Sequence, residues 1–182
     1  MGRTLYVRIP LERVGVLIGP KGQTKQRIEE ETGVQISVDS KTGEVSIDES
    51  KAEDPSMALK VIDIAKAIGR GFSEERALRL FDPEEYFRSV DIRDFAGKNR
   101  KRVAQIKGRL IGTKGKTRRI IEELTGIDMC VYGNTVSLIG DMVRMSIAEK
   151  AVEMVLEGSE HASVYRFLEN KRREIKMAEM GI

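Results

Sequence analysis

Apolar and polar residues alternate over "LYVRI" (5–9), the pattern of a half-buried strand. A short helix is predicted next over Leu11–Ile18, then a glycine loop at Gly19–Gly22, then a helix running to Glu31. Thr32-Gly33 ends that helix, because glycine takes the left-handed backbone of a C-cap without steric cost. "VQISV" and "EVSID" read as short strands joined by a turn containing Gly43. "PSMALKVIDIAKAIG" begins with proline near a helix start, carries apolar residues at helical spacing and stops at Gly69.

The pattern then starts again. "YFRSVDIRDF" is the predicted first strand of a second round, followed by a longer first helix from about Asn99 and a second glycine loop, Gly112–Gly115. "IDMCVYG" and "NTVSLIG" are strands, and "DMVRMSIAEKAVEMVLEG" is a helix. Shifting the second round back by 93 residues aligns 15–38 with 108–131, with 13 of 24 positions identical. A period this long marks a duplicated domain, since solenoid repeats are about 20–50 residues. Between the copies "FSEERALRLFDPEEY" predicts a short linker helix closed by Asp82-Pro83, and "SEHASVYRFLENKRREIKMAEM" a last helix. The fold class is therefore α+β, with the order β-α-α-β-β-α twice. The expected domains are residues 1–71 and 85–157, with a linker helix at 72–84 and a C-terminal helical extension at 158–182.

Composition narrows the chemistry. The chain has 182 residues, 40% hydrophobic and 34% charged, as ordinary globular proteins do. A lone cysteine, Cys130, cannot make an internal disulfide or a cysteine-rich zinc site. His161 is the only histidine, so metal clusters and Ser/His or Cys/His relays lack their base; a surface or capping role is expected for it. No cofactor and no metal are expected. No apolar run approaches the roughly 20 residues that span a membrane, and the N-terminus lacks a secretory apolar core, so a cytoplasmic protein is expected.

Net charge is only +3, but ten basic residues lie between Lys98 and Arg119 with no acid among them. Residues 39–54 lean acidic. A cationic stretch that spans a glycine loop is best explained by a polyanion.

Gly-x-x-Gly between two helices lets backbone approach a ligand where side chains would block it. The second glycine opens onto a helix N-terminus that favours an anion. Each loop adds a cation, Lys21 or Lys114, and the following helices add Lys25 and Arg27 or Lys116, Arg118 and Arg119. This is phosphate-backbone chemistry. The rival enzyme reading is a nucleotide-binding P-loop, because "GKT" occurs at 115–117. The Walker pattern requires glycine where this chain has Leu110, and the first copy reads "GQT", so no enzyme is expected.

"LIGPKGQTKQRIEEETGVQISV" and "LIGTKGKTRRIIEELTGIDMCV" resemble K-homology (KH) domain signatures. The resemblance implies two type I KH domains, each a three-stranded sheet packed by three helices, whose loops clamp about four single-stranded nucleotides apiece. Where many KH domains carry an apolar residue three positions after the second glycine, this chain has Lys25 and Arg118, a more cationic variant. In tandem, the pair resembles the Dim-two or partner-of-Nob family of small-subunit ribosomal RNA processing factors, with the Krr-type factors as related repeats. That resemblance implies single-stranded RNA as ligand, at the 3′ end of small-subunit ribosomal RNA. It also implies the Nob endonuclease and a translation-initiation factor subunit as partners.

On this reading the RNA-binding residues are Gly19, Pro20, Lys21, Gly22 and Lys25 in the first copy. In the second they are Arg109, Ile111, Gly112, Thr113, Lys114, Gly115, Lys116, Arg118 and Arg119. A base groove would be lined by Val14, Leu17, Ile18 and Ile36, and by Leu110, Ile111, Met129 and Val131. For Ile36 and Met129, core and groove remain open, since an alternating strand turns one face inward. Arg109, opposite Val16 of the first copy, is expected in the groove because a core rarely accepts an unpaired arginine. The second copy should supply most of the RNA affinity, leaving the first freer to meet protein. Met142, Met145 and Met154 are expected to pack a helix, Glu29/Glu30 and Glu122/Glu123 to be a solvated flank. The final helix could pack on copy two, contact RNA or dock a partner.

Overall fold

The computed structural model describes residues 2–182, which divide into two compact units, the first ending at Pro83 and the second running Glu84–Ile182. The linker turn thus packs with the first unit and the last helix with the second.

In the first unit β1 (Thr4–Arg8), α1 (Leu11–Ile18), α2 (Gln23–Thr32), β2 (Gln35–Val38), β3 (Glu44–Asp48) and α3 (Met57–Gly69) follow one another, then a short α4 (Glu74–Ala77). The sheet is antiparallel in the order β1-β3-β2, with Ile36 opposite Ile47 and Val7 opposite Val45. Ile36, Val45 and Ile47 point to one face of the pleat and are buried there under the helices, beside Ile28, Ile64 and Ile68.

The second unit has β4 (Glu85–Asp91), α5 (Arg93–Ala96), α6 (Arg100–Ile111), α7 (Lys116–Thr125), β5 (Asp128–Tyr132), β6 (Thr135–Asp141), α8 (Met142–Leu156) and α9 (His161–Glu179). Its sheet repeats the topology as β4-β6-β5, Met129 facing Leu138 as Ile36 faces Ile47. β2 and β5 are therefore edge strands. The order β-α-α-β-β-α is present in both units.

One element departs from the sequence pattern. The strand expected over "YFRSVDIRDF" ends at Asp91, and Arg93–Ala96 turns into a helix instead. Asp91 causes the switch: its carboxylate accepts from the Arg93 backbone N–H at 2.9 Å, the local bond that starts a turn in place of a ladder.

Both α2 and α7 end the same way. The hydroxyl of Thr32 donates to the Ile28 carbonyl at 2.6 Å and that of Thr125 to the Ile121 carbonyl at 2.6 Å. Gly33 and Gly126 follow at φ 70° and 76°. Each Thr-Gly pair satisfies a terminal carbonyl and then reverses the chain into the edge strand.

Candidate nucleic-acid interface

The two glycine loops have one backbone. Gly19, Lys21 and Gly22 lie at φ 76°, 53° and 73°, and Gly112, Lys114 and Gly115 at 75°, 53° and 75°. A Cβ on Gly19 would stand 2.8 Å from the Thr24 nitrogen, and one on Gly112 2.6 Å from that of Thr117, so only glycine fits the first position. Lys21 and Lys114 are the only non-glycine residues with positive φ among the described residues. A lysine held there costs on the order of 1 kcal/mol. The conformation turns its side chain outward at the loop tip, where both lysines are exposed.

Directly behind each loop a helix begins without a cap. Gly22 and Gly115 are the N-cap residues of α2 and α7, neither helix has a side-chain cap bond, and neither carries an acid in its first turn. The first N–H of each helix is held inside the loop, Gln23 donating to the Pro20 carbonyl and Lys116 to that of Thr113, so it is the positive end of the helix dipole that faces the loop. An anionic group at the loop meets this dipole, open glycine backbone and one lysine ammonium.

The remaining cations divide by partner. Lys116 has none among the described residues. Lys25 pairs with Glu29 at 3.3 Å and Arg118 with Glu122 at 3.9 Å, while Arg119 donates to the Lys114 carbonyl at 3.4 Å. Pro20 and Thr113 sit exposed beside the loop lysines. Glu29 and Glu122 are more than solvated flank: Glu29 accepts from the Ile36 N–H at 2.8 Å, and Glu122 from the Met129 N–H at 3.0 Å. Each glutamate ties the second helix to its edge strand. A sequence signal existed, since this glutamate recurs at the same step in both copies.

Burial corrects three groove residues and decides two left open. Val14, Leu17 and Leu110 are core residues, and Ile36 and Met129 fall to the core side, none of the five more than 5% exposed. Their side chains fill the space between sheet and helices and cannot line a surface groove. Ile18, Ile111 and Val131 are half-buried.

Arg109 is also corrected. Its guanidinium donates to the Val155 carbonyl at 3.1 Å and to the Ser159 carbonyl, at the C-terminal end of α8. The first unit has the same arrangement: Arg13 donates to Ile68 and Phe72, both at 2.7 Å, at the end of α3. Arg13 aligns with Ile106, three residues before Arg109, so the two arginines leave the same helix face from successive turns. Each guanidinium ties the last turn of a helix to the segment after it, in addition to the backbone bonds from Gly71 to Ile68 and from Gly158 to Val155. Burial of Arg109 is thus explained by backbone partners rather than by a ligand.

α9 packs on its own unit, the first of its three expected options. Val164 and Leu168 are buried, the Tyr165 hydroxyl lies 2.8 Å from that of Thr117, and His161 stacks on Tyr165 while its Nε2 lies 2.9 Å from the Arg109 carbonyl oxygen. In the first unit the matching Thr24 hydroxyl is buried with no hydrogen-bond partner. Met145 is buried and Met154 packs against the core, whereas Met142 is exposed at the start of α8.

Four groups, all away from the loops, have shifted protonation. Backbone N–H groups of Lys41 and Ser50 hold the Asp39 and Asp48 carboxyls below the ordinary value, and a side-chain bond from Ser56 does so for Asp54. Arg93 is raised by its hydrogen bond to Asp91. Among the described residues no cluster of His, Cys, Asp and Glu is placed to hold a metal, and no helix is long and apolar enough to cross a membrane.

A three-stranded antiparallel sheet covered by helices, with Gly-x-x-Gly between the first two, defines the type I KH module, present here twice. Comparison with known families agrees: residues 4–62 match the KH domain, and residues 86–173 match the eukaryotic type KH-domain (KH-domain type I). A KH domain-containing protein of Methanocaldococcus jannaschii is 47% identical over 173 residues, 94% of this chain and 75% of the relative. The pre-rRNA-processing protein pno1 of Schizosaccharomyces pombe is 27% identical, over 79% of this chain and 60% of its own length. Among solved structures, Dim2p from Pyrococcus horikoshii superposes with a TM-score of 0.86 at 47% identity, covering 92% of this chain and 99% of that one. The chain belongs to the Dim2/Pno1 family of tandem KH-domain RNA-binding proteins.

Proposed function

We propose that this chain is a pre-ribosomal RNA processing factor that holds single-stranded RNA at the 3′ end of small-subunit ribosomal RNA, chiefly through its second KH domain. The observation that carries the reading is the second loop: Lys114 at φ 53° beside the uncapped N-terminus of α7, within a stretch free of acids. The pre-rRNA-processing names of the relatives and a Pyrococcus horikoshii structure of an a/eIF2alpha–aDim2p–rRNA complex, 45% identical with a TM-score of 0.88, supply the kind of RNA.

The binding residues on this reading are Gly19, Pro20, Lys21, Gly22 and Lys25, and Ile111, Gly112, Thr113, Lys114, Gly115, Lys116, Arg118 and Arg119. Phosphates seat against loop backbone and lysine, and bases lie across the rim formed by Ile111 and Val131. With about five phosphates neutralised, log K falls with log salt at a slope of roughly −3.5. Two modules of about four nucleotides each, if both engage, hold a longer strand than either alone and gain affinity from their linkage. The first unit, with its acidic turn, is free to meet a protein, for which the alpha initiation-factor subunit and the Nob endonuclease are the candidates. The protein acts without catalysing a reaction, in the cytoplasm.

The test is crosslinking and sequencing of RNA bound in native extract, comparing wild type with Thr113→Asp/Lys114→Asp. Reads concentrated at the 3′ end of small-subunit ribosomal RNA and lost in the variant are expected. Reads scattered over messenger or transfer RNAs would reduce the protein to a general KH binder. Absence of RNA would leave a protein adaptor.

A further inference from the structure

The second unit has a cavity along the first half of α6, on the far side of that helix's length from the glycine loop. It has a volume of about 470 Å³ and is lined by Arg93, Lys98, Arg100 and Lys107, with Val103 and Asn134 among the other walls. No acidic residue lines it. Arg93 is already engaged, its guanidinium donating to both oxygens of Asp91, with Asp94 also nearby. Lys98, Arg100 and Lys107 have no partner among the described residues. The N–H groups of the first turn of α6 are not available, since Asn99 accepts from Lys101 and Arg102. The attraction comes from side chains, and three unneutralised cations around one hollow favour an anion strongly.

Position decides which anion. Arg100, Ala104, Lys107 and Ile111 follow one another at helical spacing, so they share one face of α6. Lys107 is one turn from Ile111, and the glycine loop begins immediately after. The whole face is about 16 Å long, at 1.5 Å per residue. The opposite wall comes from the β5–β6 turn at Asn134, whose carbonyl accepts from Ile92 at 2.8 Å and so holds the turn against the start of α5. The cavity therefore opens on the same face of α6 that leads to Gly112–Gly115. In the first unit α1 has 8 residues where α6 has 12, and Lys107 aligns with the buried Val14.

We infer that this cavity is a second phosphate site, which receives the backbone of the same nucleic-acid strand after it leaves the clamp of the second loop. The site rests on the RNA-binding reading above. It lengthens the segment held by the second domain beyond the about four nucleotides of a KH clamp. Lys98 and Arg100 contact phosphate at the mouth and Lys107 bridges to the loop.

The test is fluorescence anisotropy with labelled strands from the 3′ end of small-subunit ribosomal RNA, and oligouridylates, of about four and about ten nucleotides. Wild type, Lys98→Ala/Arg100→Ala and Thr113→Asp/Lys114→Asp are compared, with circular dichroism as a check of folding. Both alanine positions are exposed, so the fold is retained. The expected result is that the alanine pair binds the short strand as wild type does, but the long one about tenfold more weakly. Its salt slope on the long strand should be shallower by roughly 1.4, the share of two phosphates. Equal affinity of wild type and alanine pair for the long strand, with binding lost in the loop variant, overturns the second site and leaves the RNA-binding reading intact. A wild type that binds none of these strands overturns both.

Discussion

The two loops of this molecule differ by no more than a few degrees in φ, yet their surroundings are unlike. Around Gly112–Gly115 stand a longer α6, a run of ten cations, and α9, whose Tyr165 reaches the Thr117 hydroxyl. Around Gly19–Gly22 stand a shorter α1, no counterpart of α9, and a Thr24 hydroxyl buried without a partner. Duplication has kept the part whose geometry is demanded by steric contact at the first glycine. What surrounds the loop has diverged, and it is the surroundings that set charge and rigidity. On the proposed function, the same backbone serves as an RNA clamp in one unit and is left for other partners in the other.

The sharpest way to break this comparison is to reverse charge at each loop in turn. Thr113→Asp/Lys114→Asp should weaken RNA binding on the order of a hundredfold by anisotropy, and Pro20→Asp/Lys21→Asp by only a few-fold. Equal losses would mean that shared backbone, not the surroundings, sets affinity. Next in size are the two arginines. Arg109→Ala removes the guanidinium bonds to the Val155 and Ser159 carbonyls, and Arg13→Ala those to Ile68 and Phe72. Each should cost about 2 kcal/mol in thermal unfolding, and Lys should restore only part of it because it lacks the planar fork. RNA affinity of Arg109→Ala should change by less than the loop variant's. A loss as large would return Arg109 to the groove.

That pair of arginines also shows where the sequence stops being legible. Element order, the duplication and both loops could be read because periodicity, glycine spacing and Thr-Gly stops are local signals, repeated twice. The destination of a side chain is not local. Arg109 looked exposed to ligand because its partner carbonyls lie about fifty residues away, on a helix end whose need for donors leaves no mark on composition. Leu17 and Leu110 were placed in the groove, and Ile36 and Met129 left open, for a related reason: an alternating strand and an amphipathic helix name a buried face, but do not say which residues stop short of the rim. The switch at Asp91 depended on a single side-chain bond inside a run that otherwise alternates. Glu29 and Glu122 were legible in principle, since their recurrence at one step marks a shared role, here the edge-strand N–H.

The smallest predicted effect isolates the surroundings of the loop from its charge. Thr24 and Thr117 occupy one position in two copies, both buried, and differ only in whether the hydroxyl is bonded. Replacing Thr117 by Val leaves the Tyr165 hydroxyl without its partner and should cost about 1 kcal/mol, and Tyr165→Phe should cost a similar amount. Thr24→Val removes a buried polar atom that bonds to nothing, so it should be neutral or stabilise the first unit by up to about 1 kcal/mol. Denaturant midpoints of the three variants measure the signs directly. Opposite signs at the two threonines would show that α9 braces the second loop through this contact. Losses of the same sign and size would mean that each hydroxyl is satisfied in the same way, and that the difference between the loops is one of charge alone.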